Sequence, residues 1–135
     1  MKPIAAGLFL VVSLTAVGAE TFDARVQRAK GLEETPLGQA YQDSMWPLLQ
    51  PFVASLVKKC ISEDGKADLT SFVWVGTLTL KGNLNAIQVQ PMTQMSRCFS
   101  RGMEHAPFPK PPKELARDGM PITLNMRLHP MDYQL

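Results

Sequence analysis

Two cysteines, Cys60 and Cys98, are the only pair in this chain of 135 residues and stand 38 positions apart. Whether they are joined decides how so small a domain is held together, and that depends on where the chain resides. The first residues address this. Met1-Lys2 supplies a positive start, Ile4 to Val17 is apolar apart from Ser13 and Thr15, and Val17-Gly18-Ala19 offers small side chains to a signal peptidase. Residues 1–19 therefore read as a signal peptide cleaved after Ala19, and the chain as exported, most simply to a bacterial periplasm. At 1.5 Å per residue this apolar run extends only about 21 Å, short of the roughly 30 Å hydrocarbon core of a bilayer. No membrane span is expected once it is removed. In an oxidising compartment an even pair of cysteines reads as one disulfide, Cys60–Cys98, which in a chain-entropy model stabilises by about 4 kcal/mol at most. A redox or nucleophilic role lacks a C-x-x-C spacing and a nearby base.

The rest of the chain has to build one core. With 45% hydrophobic and 19% charged residues and a net charge of +2, it is an ordinary globular sequence and too nearly neutral for a dedicated nucleic-acid binder. Its 11 prolines against 9 glycines call for short or kinked elements.

Thr21 caps a short helical pattern through Phe22, Val26 and Ala29, with Gly31 as its stop. Thr35-Pro36 opens a longer one, in which Leu37, Tyr41, Met45, Leu48, Leu49, Phe52, Val53, Leu56 and Val57 share a broad face. Pro47 and Pro51 predict a break near Trp46 and a fresh start over Leu48 to Lys59. A polar loop follows from Ser62 to Asp68. The period then changes to two. Phe72, Trp74, Leu78 and Leu80 share one strand face with Gly76, and Val73, Val75, Thr77 and Thr79 share the other. Lys81-Gly82-Asn83 turns the chain into a hairpin partner through Asn85, Ile87 and Val89, with an irregularity between Leu84 and Ile87 where the apolar spacing slips. Thr93 caps a helix carrying Met95, Cys98, Phe99, Gly102 and Met103. Pro107 to Pro112 is extended and near polyproline II, a rigid connector. A helical turn at Glu114 to Arg117 leads to a last strand, in which Ile122, Leu124, Met126 and Leu128 alternate with Thr123, Asn125, Arg127 and His129; Pro121 and Pro130 bracket it.

Catalytic signatures are missing. No H-E-x-x-H, G-x-S-x-G, P-loop or paired C-x-x-C occurs. His105 and His129 fall in different elements and no thiolate is left for a metal. Glu33-Glu34 and Glu63-Asp64 read as solvating charge. The expectation is a non-enzyme without metal, cofactor or small-molecule substrate.

The stretch from Cys60 to Pro130 resembles the C-terminal domain of TolA and, more distantly, of TonB, the periplasmic ends of inner-membrane energy transducers. Gly82 followed by Leu84, Ile87 and Val89 is similar to the family's hairpin glycine and spaced aliphatics. Cys98 in a helix leading to Ala106-Pro107-Phe108-Pro109-Lys110-Pro111-Pro112 resembles the TolA helical cysteine and its "I-P-K-P-P" run. Cys60 matches the partner cysteine, and Ile122 to Leu128 the last strand. In TolA the first cysteine opens a strand, whereas Cys60 here ends a helix, and no retained anchor or long spacer is expected. The resemblance implies the fold and a habit of binding proteins, not force transmission.

The expected architecture is α+β, a small antiparallel three-stranded sheet packed against two main helices with one disulfide. Residues 20–34 form an N-terminal helical segment and 35–135 the TolA/TonB-like domain. The expected function is a non-catalytic periplasmic interaction module that binds another envelope or periplasmic protein by strand addition at a sheet edge, with Thr123, Asn125 and Arg127 as the partner-binding residues. The alternatives are a periplasmic immunity protein neutralising a toxic enzyme and, more remotely, a hydrolase built from scattered carboxylates.

Overall fold

A computed structural model describes residues 20–64 and 68–129. The expected signal peptide, Pro130 and part of the polar loop lie outside them. The elements are α1 (Phe22–Glu33), α2 (Pro36–Asp64), β1 (Phe72–Leu78), β2 (Leu84–Gln90), α3 (Gln94–Met103), α4 (Lys113–Ala116) and β3 (Met120–Met126). The sheet is antiparallel in the order β2-β1-β3, so the fold is α+β with a central first strand and two edges.

Helix α1 starts where Thr21 accepts a hydrogen bond from the Ala24 N–H (3.1 Å), passes through Gly31 and ends at Glu33, past the expected stop. Thr35 then serves both helices. Its hydroxyl donates to the Leu32 carbonyl at 2.7 Å and accepts from the Gly38 N–H at 3.1 Å. The break predicted near Trp46 does not occur: α2 is one helix of 29 residues with Pro47 and Pro51 inside it. The prolines are four apart and both exposed, so the carbonyls they leave without a helical donor, those of Asp43 and Pro47, lie on the solvent side, open to water. The helix also runs beyond Cys60 into the expected loop. Ser62 Oγ donates back to the Lys58 carbonyl (3.0 Å), and Lys59 and Glu63 stand as an i,i+4 pair at 3.9 Å.

On one face of the sheet Phe72, Trp74, Leu78, Met120, Ile122 and Leu124 pack with Tyr41, Met45, Leu49, Leu56 and Val57 of α2 and Met95, Phe99 and Met103 of α3. Leu37, Leu48 and Leu80, expected in this core, are exposed; β1 ends at Leu78, before Leu80. The Cys60–Cys98 disulfide joins α2 to α3 with a Cα separation of 5.7 Å. Thr93 caps α3 reciprocally with Ser96. The proline-rich connector lies on the core: Tyr41 donates its hydroxyl to the Pro109 carbonyl at 2.8 Å, and burial pushes the phenol well above its ordinary range.

The opposite face is covered too. Arg25 of α1, itself buried, donates to Thr77 Oγ1 on β1 (2.9 Å) and to Gln88 Oε1 on β2 (2.7 Å), while Val26, Ala29 and the fully buried Val75 close the same side. The N-terminal helix is thus a layer of the fold.

Candidate functional site

The strand order leaves β3 with one unpaired side, and a proline fixes which of its backbone groups face that side. Pro121 lies inside the strand opposite Thr77, so the strand begins at Met120 and ends at Met126, two residues earlier at each end than the alternation suggested. Without an N–H, Pro121 cannot make the reciprocal bonds of a hydrogen-bonded pair, so Thr77↔Pro121 is of the non-hydrogen-bonded kind. Alternation extends this to Val75↔Thr123 and Val73↔Asn125. The backbone N–H and C=O of Thr123 and Asn125 therefore point away from β1. Among the described residues no hydrogen bond from another element reaches them.

These groups face a groove of about 330 Å³. Thr123, Leu124, Asn125 and Met126 line one side; Lys30 and Glu33 of α1 and Gln42, Trp46 and Val53 of α2 line the rest. Trp46 is 42% exposed, an unusual setting for an indole. Glu33 is partly desolvated here, which raises its carboxyl above the ordinary glutamate value despite the opposing attraction of Lys30. It is not the freely solvated charge that its position in a Glu-Glu turn suggested.

Two of the three expected partner-binding residues meet in this groove. Asn125 is exposed. Thr123 is half-buried, and its hydroxyl donates to the Trp74 carbonyl at 3.0 Å. Arg127 is exposed but follows the end of β3 and does not line the groove. Leu128, beyond the strand, is buried against the core. The groove's helical wall was missed by sequence reasoning because Lys30, Glu33 and Trp46 lie far from β3 in the sequence, on α1 and α2. The one available signal was Trp46, placed just before Pro47 and off the regular apolar stripe.

The other edge, β2, is shaped by a bulge: Val75 faces Gln88 while Thr77 faces Asn85, and Ala86 takes φ +50°. This is the irregularity expected between Leu84 and Ile87. A second groove of about 480 Å³ runs beside it against α3.

Among the described residues no group of three or more His, Cys, Asp or Glu side chains is placed to hold a metal ion. No described helix is long and apolar enough to cross a membrane. Comparison with known proteins gives no match to a family model, a curated protein or a solved structure.

Proposed function

We propose that the protein is a non-catalytic interaction module of the bacterial periplasm that binds an extended segment of another envelope protein along β3. The observation that carries this reading is the outward row of Thr123 and Asn125 backbone groups at the floor of a groove walled by two helices. A docked strand gains main-chain hydrogen bonds there, and its side chains alternate between the Thr123/Asn125 face and the Leu124/Met126 face. Trp46 supplies a large apolar contact at little entropic cost. The short span between Pro121 and the end of the strand at Met126 limits indiscriminate edge pairing. Periplasmic residence is part of the same proposal. The disulfide is compatible with an oxidising compartment, and the apolar N-terminal run supports export.

The test is Asn125→Pro. Since the Asn125 N–H points away from β1, proline there removes a docking donor without removing a ladder bond. Proteins retained from periplasmic extract by the wild type should be lost by this variant, whose circular dichroism and melting should stay close to wild type. Equal retention by both, or retention of nothing by the wild type, overturns the proposal.

A further inference from the structure

The β2 edge has chemistry of its own, independent of the β3 groove. Because the backbone groups of Val73, Val75 and Thr77 turn toward β2, Val75↔Gln88 and Val73↔Gln90 are the bonded pairs and Trp74↔Val89 is not. Val89 therefore turns its N–H and C=O outward, into the groove of about 480 Å³. The bulge at Ala86 on one side and Pro91, which has no N–H, on the other confine regular pairing to a short stretch around Val89.

The walls of this groove are apolar and cationic. Phe22 of α1, Ile87 and Met92 provide apolar surface, and Met92 is 68% exposed. On α3, Arg97 and Arg101 stand one turn apart on the groove side. Neither forms an ion pair among the described residues, where the pairs are Arg28–Glu20 and Lys59–Glu63. Glu104 is the groove's one acidic lining residue, so two unpaired guanidinium groups face one carboxylate.

We infer that the β2 groove is a second docking site, for a short extended segment of another protein that carries an apolar residue flanked by carboxylates. One residue of that segment pairs with Val89, its apolar neighbour covers Met92 and Ile87, and its carboxylates accept charge-assisted hydrogen bonds from Arg97 and Arg101.

Amide chemical shifts of the isotopically labelled, disulfide-bonded protein test this with two acetylated pentapeptides, one alternating Glu and Val and the other alternating Lys and Val. The acidic peptide should move the Val89, Gln90 and Arg97 resonances, and the basic peptide should not. Replacing both arginines (Arg97→Gln with Arg101→Gln) should weaken the acidic peptide by at least ~10-fold, and so should raising the salt through the Debye regime. Asn125→Pro should leave this binding unchanged, which separates the site from the one on β3. Equal binding of the two peptides, unchanged affinity in the double variant, shifts centred on Thr123 and Asn125, or no shift at all would each overturn the inference.

Discussion

The ring of Phe108 lies parallel to the indole of Trp74, with centroids 6.4 Å apart and an interplanar angle of 7°. This contact ties the proline-rich connector to the central strand. Trp74 is fully buried, and its Nε1–H finds no hydrogen-bond partner among the described residues. The indole stays for its volume and stacking, against the cost of an unsatisfied donor.

Trp74→Ala should therefore destabilise the domain by about 3–5 kcal/mol, as a large core truncation that the neighbouring strands cannot collapse to fill. Phe108→Ala, on a half-buried ring, should cost less, roughly 1–3 kcal/mol. Denaturant midpoints of the two variants check the order. Equal losses would mean that the connector contributes as much to this part of the core as the central strand does.

Reduction of Cys60–Cys98 should lower the melting temperature by several degrees or more. A bridge closing a loop of this length contributes up to about 4 kcal/mol in the chain-entropy model. The bridge sits where α2 and α3 come close: a methyl group on Gly102 would collide with the end of Leu56. Calorimetry with and without reductant measures the loss, and mass spectrometry the gain of two hydrogen atoms as the reductant is oxidised.

Much of this framework was legible before the structure. The two-residue period of Phe72–Leu78 and of Ile122–Met126, the Thr93 cap and the slip near Ala86 are local signals, each set by a few neighbouring residues. The continuity of α2 was not legible, because the cost of an internal proline depends on which side of the helix faces water, and that is decided by the rest of the fold. Nor was the burial of Val75 under α1. A short helix with one buried arginine does not announce a sheet face until Thr77 and Gln88 are seen accepting from it. Thr123 and Asn125 were found as an edge because a last strand arriving after α3 and the connector flanks the hairpin, here beside β1, while the walls of both grooves are products of tertiary packing.

Gly38→Ala should be severely destabilising. The added Cβ would fall onto the Leu32 carbonyl, a backbone atom that cannot swing aside as a side chain can. Opening the turn that Thr35 holds should cost at least ~2 kcal/mol. Thermal melting of the purified variant reads this directly, and a wild-type transition would show that the α1–α2 junction yields.

Glu33→Gln should stabilise the protein at neutral pH. Desolvation raises the Glu33 carboxyl in the folded state, so the folded chain holds its proton more tightly than the unfolded chain does. Stability attributable to this group is therefore greatest below its unfolded value and declines as pH rises through its folded one. The amide escapes that penalty. The advantage of Glu33→Gln over wild type should be present at pH 7, shrink as acidification passes through the raised folded value, and be gone below the ordinary glutamate value. A pH series of melting temperatures for the pair tests the sign.

Trp46 separates stability from binding. Its side chain is 42% exposed on α2, outside the buried stripe of Tyr41, Met45 and Leu49, so Trp46→Ala removes little core contact and should shift stability by no more than about 1 kcal/mol. In the groove it is the largest apolar surface within reach of a strand seated on Thr123 and Asn125. Such an indole is the residue type that most often dominates an interface, with truncation typically costing 2 kcal/mol or more, about thirtyfold in affinity. Measured against a partner retained by the wild type and released by Asn125→Pro, Trp46→Ala should weaken binding by at least ~10-fold while its melting curve stays near wild type. Loss of stability without loss of binding would place Trp46 in the fold's own packing and leave the β3 groove without its anchor.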